Sequence, residues 1–163
     1  MGTGQTLLTI MAMMMLSRLV LSVNTSSAQS GDSIQMAAYR ITGTSLGTSM
    51  IEEATGMAFD QKSDTVGISN QSNFSSTLGK ETGEVYPDFN DFDDYNNLHK
   101  VDSLKGSAIF VTDVKVEYVS IASNAIAVSG TPTYHKRMTV KVSSKSMVDT
   151  LKFYTIFSYW FFR

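Results

Sequence analysis

The residues best equipped for chemistry lie together in mid-chain: Asp88, Asn90, Asp91, Asp93 and Asp94, interleaved with Tyr86, Phe89, Phe92 and Tyr95. Carboxylate and amide oxygens at this spacing are the ligand type a hard cation such as calcium takes, about six to eight at a time. The segment is no EF-hand, because the glycine and terminal glutamate of that loop are absent at the required offsets. Turn chemistry accounts for the same residues without a metal, since Asp and Asn side chains accept hydrogen bonds from nearby backbone amides. The turn reading is the simpler one, and calcium is the only cofactor the sequence suggests. On either reading the aromatics are expected to bury and the carboxylates to stay in water.

Other chemistry is thinly supplied. There is no cysteine, which removes disulfides and thiolate metal sites, and the two histidines, His99 and His135, have no second histidine at ligand spacing. A hydrolase would have to combine one of them with a serine such as Ser103 or Ser129, and no motif joins these residues. A net charge of -2 with 17% charged residues offers no cluster of Lys and Arg for a phosphate backbone. The expectation is a non-enzymatic protein that does not bind nucleic acid.

The elements that would position these residues begin with an apolar run from Leu7 to Val23. It contains Leu7, Leu8, Ile10, Met13, Met14, Leu16, Leu19, Val20 and Leu21, and is broken by Thr9, Ser17, Arg18 and Ser22. A helix needs roughly 20 apolar residues to cross a bilayer core, so the run is close to a span and must place Arg18 somewhere tolerable. Three fates fit it: a cleaved secretory signal ending at Ser26-Ser27-Ala28, although Met1 to Thr6 carries no positive charge; a plain membrane anchor; or a helix that later packs into a filament.

From Asp32 to Phe59 there is no proline, and Ile34, Ala37, Ala38, Ile41, Ser45, Ala54 and Ala58 recur at helical spacings on one face. Gly31, Gly43, Gly47 and Gly56 each weaken an isolated helix by about 1 kcal/mol, so this helix needs a partner surface. If unbroken from Thr6 to Phe59 it would be roughly 80 Å long, which suits a helix buried for half its length in a membrane or filament.

Residues 61–106 read as a long connection. After it, Phe110, Thr112, Val114, Val116 and Tyr118 alternate with polar residues, as do Met138, Val140 and Val142, and then Leu151, Phe153, Thr155, Phe157 and Tyr159. The predicted fold class is α+β: a long N-terminal α-helix packed on a C-terminal antiparallel β-sheet of three to four strands. The last strand is apolar on its other row too, through Tyr154, Ile156, Trp160 and Phe162. That row is expected to be central in the sheet, covered by the long loop, or a subunit contact.

Two segments carry a family resemblance. Gly4-Gln5-Thr6-Leu7-Leu8 resembles the processing site of type IV prepilins, with Gly4 closing a leader and Gln5 beginning the mature chain. Thr9 replaces the Glu that most pilins carry, as in some tip-located minor pilins and pseudopilins. Phe92-Asp93-Asp94-Tyr95-Asn96-Asn97-Leu98 resembles the FDDxDDYNG segment of minor pilins of the mannose-sensitive haemagglutinin type, with Asn97 in place of the final glycine.

The resemblance implies a minor pilin or pseudopilin of a type IV pilus or type II secretion system. It divides the chain into a leader 1–4, an apolar helix 5–31 and a globular domain 32–163 made of a helix 32–60, a loop 61–106 and a sheet 107–162. It further implies a subunit held in the bacterial inner membrane, cut by a prepilin peptidase, N-methylated, and assembled with itself or other pilin-like subunits, facing the periplasm or the cell surface. Arg18, Tyr154, Ile156, Trp160 and Phe162 would then be candidate subunit contacts. The rival expectation is a secreted or periplasmic binding module, cut after Ala28, whose Asp-rich loop holds calcium or a glycan.

Overall fold

A computed structural model describes residues 2–65, 67–104, 108–122 and 125–159. The first element, α1, runs over Thr3–Thr55 as one helix. The chain divides into two compact units, Met1–Ala38 and Tyr39–Arg163.

The described part of the first unit is helix alone, and every residue from 2 to 38 is exposed. An 18-residue window of α1 reaches a mean hydropathy of 1.9 with none of it buried, so the helix is long and apolar enough to cross a membrane. Its polar residues do not break it, because their hydroxyls bond back to helix carbonyls. Thr6 donates to the Thr3 carbonyl at 2.9 Å, Thr25 to that of Leu21 at 2.6 Å and Ser33 to that of Gln29 at 2.9 Å. Such back-bonding satisfies a hydroxyl donor without water. The helix accordingly continues through Ser26, Ser27, Ala28 and Gly31.

In the second unit the end of α1 packs on an antiparallel sheet of five strands: β1 His99–Ser103, β2 Ile109–Ala122, β3 Ala125–Val128, β4 His135–Ser144 and β5 Leu151–Ser158. The order is β1-β2-β4-β5, with β3 pairing the far end of β2. Central register pairs are Val114 with Val140 and Val140 with Phe153. The inward row of β2 is the expected one, Phe110 to Tyr118, and it meets Met138, Val140 and Val142 of β4 and Phe157 of β5 in one core. Five strands appear where three to four were expected: β1 and β3 lie outside the three rows marked by periodicity, because β1 carries no apolar alternation at its edge and β3 is four exposed residues. The expected connection 61–106 also contains a short helix α2 at Gln61–Thr65 and 3₁₀ turns at Gln71–Asn73 and Asp93–Tyr95.

The helix face differs from the expected one. Ile34 and Ile41 are each 72% exposed, and Ala37, Ala38 and Ser45 are exposed as well; of that row Ala54 is fully buried. The buried face is Gly43, Gly47, Met50 and Ala54, with Tyr39 and Leu46 beside it. Glycine decides the choice. A Cβ at Gly43 would lie 3.0 Å from Cδ1 of Leu151, and one at Gly47 would run into the ring of Phe153. The helix can approach β5 this closely only where it has no side chain, which outweighs the propensity cost of the glycines. The helix stops at Thr55, short of 60, where the amide of Gly56 bonds back to the carbonyls of Glu52 and Glu53 at 3.2 Å.

Candidate functional site

The Asp-rich segment is clamped to the exit of α1. Ala58 and Asp91 form a short parallel bridge, in which the Phe92 amide donates to the Ala58 carbonyl at 2.9 Å. Asp91 then caps the 3₁₀ turn: its Oδ1 accepts from the amides of Asp93 at 2.8 Å and Asp94 at 3.2 Å. Asp94 caps in the opposite direction, its Oδ2 accepting from the amides of Asn90 at 3.0 Å and Asp91 at 3.1 Å. This is the turn chemistry expected of these residues.

Their environment is not the expected one. Phe89, Phe92 and Tyr95 are buried as anticipated, but so are Asp91, Asp93 and Asp94, each 1% exposed. Asp91 and Asp94 are held by the backbone amides of the turn, and Asp93 by a lysine. Lys136, fully buried on β4, directs its Nζ to the Phe59 carbonyl at 2.5 Å, to Asp60 at 3.4 Å and to Asp93. It also lies 4.5 Å from the centre of the Phe59 ring and 5.3 Å from that of Tyr118, within cation–π range. Asp60 is held in turn by the amides of Lys62 at 3.1 Å and Ser75 at 3.0 Å. Burial opposes ionisation of Asp60, yet Lys136 and those amides outweigh it and keep the carboxyl below its ordinary value.

Further along the loop the charge balance reverses. Glu84 accepts from the Glu81 amide at 2.9 Å and from the Asn90 side chain, which folds this stretch onto Asp94. Glu81, Glu84 and Asp94 each bring one oxygen within 4.8 Å of the other two. Among the described residues no Lys or Arg pairs with Glu81, Glu84, Asp91 or Asp94; the cation of this region, Lys136, is taken by Asp60 and Asp93. Burial, with Glu84, Asp91 and Asp94 nearby, pushes the Glu81 carboxyl up to about 8, and burial with the charge of Asp93 pushes Asp91 up to about 7. Beside this cluster the hydroxyls of Tyr95 and Tyr86 donate to Glu53 at 2.9 Å and 3.2 Å, and burial followed by that carboxylate raises both phenols.

Of the five expected oxygen donors, then, the structure gathers only Asp94 into a ligand-like set, in the company of Glu81 and Glu84. Asp93 faces Lys136, Asn90 donates to Glu84, Asp91 caps the turn, and Asp88 is exposed. Glu81 and Glu84 fall in the expected loop, away from the aspartate run, and only the turn at Gly83, with φ +101°, brings them back. Lys136 was not anticipated, although its place two residues before Met138 continues the inward row of β4 and is the signal that marks it.

The histidines do not join the site. His99 contacts Asp113, its cross-strand neighbour, at 2.7 Å, and His135 contacts Ser158, likewise its cross-strand neighbour, at 2.7 Å. Ser129 accepts from the Thr131 amide at 3.2 Å. Tyr154 and Ile156 point away from the core on β5, 64% and 37% exposed. β5 lies at a sheet edge, so the central-strand reading fails, and the exposure of Tyr154 removes cover by the loop at that residue. Trp160 and Phe162 lie outside the described residues. Gly4, Gln5, Arg18 and the apolar row Leu7 to Leu21 are all on the exposed first part of α1.

No protein-family model matches the chain, nor does any curated protein or any solved structure.

Proposed function

We propose that the chain is a structural subunit of a pilin-like assembly, a minor pilin or pseudopilin, retained in a membrane and then packed among similar subunits through residues 5–31. One observation carries the reading: a 53-residue helix whose first part exposes its large apolar side chains while its last part packs on an antiparallel sheet. Exposed apolar area of this extent in a helix asks for lipid or other helices. The left-handed backbone at Asn97, φ +63°, adds support, because the resembled motif has glycine there and Asn is among the few other residues that tolerate this conformation. In this mechanism a peptidase cuts after Gly4, Gln5 becomes the methylated N-terminus, and apolar helices pack together while the second unit faces outward. Arg18 is held there by a carboxylate or a carbonyl of a neighbouring subunit.

Against cleavage after Ala28, as the rival binding module requires, the helix passes through Ser26, Ser27 and Ala28 without interruption. Mass spectrometry of the mature N-terminus separates the readings. N-methylated Gln5 is the expected result; a chain beginning at Gln29 would replace the proposal with the secreted module, and one beginning at Met1 with a plain anchor.

A further inference from the structure

The carboxylates of the mid-chain loop carry more acceptor capacity than the protein fills. Asp94 is 1% exposed, and with Oδ2 occupied by two amides its Oδ1 is left buried without a donor. Oε2 of Glu81 is buried without a donor, and so is Oδ2 of Asp91. Native proteins leave few buried polar atoms unpartnered, and each costs about 1–3 kcal/mol. Three such oxygens within one loop, all on carboxyl groups, point to something that accepts several oxygens at once.

We propose that Glu81, Glu84 and Asp94 bind a calcium ion, with the unpartnered Oδ2 of Asp91 as a further candidate donor. The oxygen set is the first argument: it contains no nitrogen or sulfur, which favours a hard cation over zinc. Size is the second. Oxygens on opposite sides of calcium, at about 2.3–2.6 Å from it, are about 4.6–5.2 Å apart, whereas magnesium at about 2.0–2.1 Å draws them to about 4.2 Å. Oxygens that all lie within 4.8 Å of one another can close on an ion of calcium's size without rearrangement of the backbone, and the magnesium arm of the titration below decides between the two ions. Preorganisation is the third, since Glu84 is fixed by the Glu81 amide and the Asn90 side chain, and Asp94 by two backbone amides. The ion would join the 81–84 turn to the 3₁₀ turn at Asp93–Tyr95 and so lock the loop against the exit of α1. The site requires neither membrane nor filament and is independent of the pilin reading.

The competing occupant is a proton shared among the carboxyls. Calorimetric titration of the full chain in detergent, first stripped with chelator, distinguishes the two, with calcium chloride and magnesium chloride as probes and a circular-dichroism melt as the second readout. The expected result is one calcium per chain with a Kd at or below about 10⁻³ M, magnesium at least tenfold weaker, and a higher Tm in calcium. Glu81→Gln removes a charge and an oxygen that no protein donor uses, and is expected to weaken calcium at least tenfold; Asp88→Asn, on an exposed residue outside the set, is expected to leave it unchanged. Absence of both heat and Tm shift for the wild-type chain at 10-fold above that Kd overturns the proposal without recourse to any variant. Equal affinity in Glu81→Gln, or loss in Asp88→Asn alone, overturns the assigned ligands.

Discussion

Residues 3–38 and residues 39–55 belong to one helix, yet the side chains they bury run opposite to hydrophobicity. In the first stretch Leu8, Met15 and Leu21 are more than half exposed; in the second, Gly43, Gly47 and Ala54 are buried. The second stretch is buried because small residues let a sheet come close, and its partner is on the same chain. The first has no such partner among the described residues. Its eleven large apolar side chains from Leu7 to Leu21 would each gain about 1.5–3 kcal/mol on burial, together on the order of 15–30 kcal/mol. That is at least as large as the net stability of about 5–15 kcal/mol of a typical domain, so burial of this stretch in lipid or among other helices is strongly favoured. On the proposed reading, one helix serves two burial systems, one internal and one supplied from outside.

The largest effect is expected from making the first stretch polar. Leu8→Asp, Met14→Asp and Leu19→Asp combined add about 2.5–3.5 kcal/mol each near the centre of a span. The triple variant is expected to leave the membrane fraction on sedimentation after a carbonate wash, while the melt of the second unit stays within a degree or two of wild type.

Next in size is the reverse experiment on the second unit. Lys136→Met leaves Asp60 and Asp93 buried without their counter-ion and is expected to cost about 3–5 kcal/mol in urea unfolding. Membrane partition of that variant should not change.

A matched pair of glycines then compares the two stretches directly. Gly47→Ala forces a methyl group into the Phe153 ring and is expected to cost about 1–3 kcal/mol. Gly31→Ala meets nothing within 4 Å and is expected to stabilise the helix by about 0.5–1 kcal/mol, measured in detergent by helicity and hydrogen exchange.

The smallest effect is one of pH. Because the folded-state carboxyl of Asp60 is held below its ordinary value, its contribution is present above the unfolded pKa near 3.8 and is lost as pH falls through the lower folded value. The stability gap between wild type and Asp60→Asn is therefore expected to be constant near neutrality and to shrink below about pH 4.

Much of this architecture could be read from residue order, and what could not has identifiable causes. The period-two rows of β2, β4 and β5 were visible because their inner faces are mostly apolar, Thr112 and Thr155 apart, from Phe110 to Tyr118, from Met138 to Val142 and from Leu151 to Phe157. β1 was hidden because an edge strand of His, Lys, Val, Asp and Ser needs no apolar face. The helix face was misjudged because apolar periodicity weights Ile34 and Ile41 over glycines, whereas packing against Leu151 and Phe153 selects the glycines. At the candidate site the aspartates marked the place but not the partners. Lys136 arrives from β4, more than forty residues away in sequence from Asp93, and Glu81 and Glu84 arrive through a glycine turn.

The claim that residues 5–31 are buried by something other than the rest of the chain is tested most directly by accessibility. The chain has no cysteine of its own, so single thiols report without background. Membranes of cells expressing the full chain as M13C or S45C would be treated with a membrane-impermeant maleimide. The M13C thiol is predicted to stay unlabelled until detergent denaturation, while the S45C thiol, on an exposed position of the second unit, reacts freely. Equal labelling of the two without detergent, or a mature M13C chain that has lost residue 13, would contradict the account.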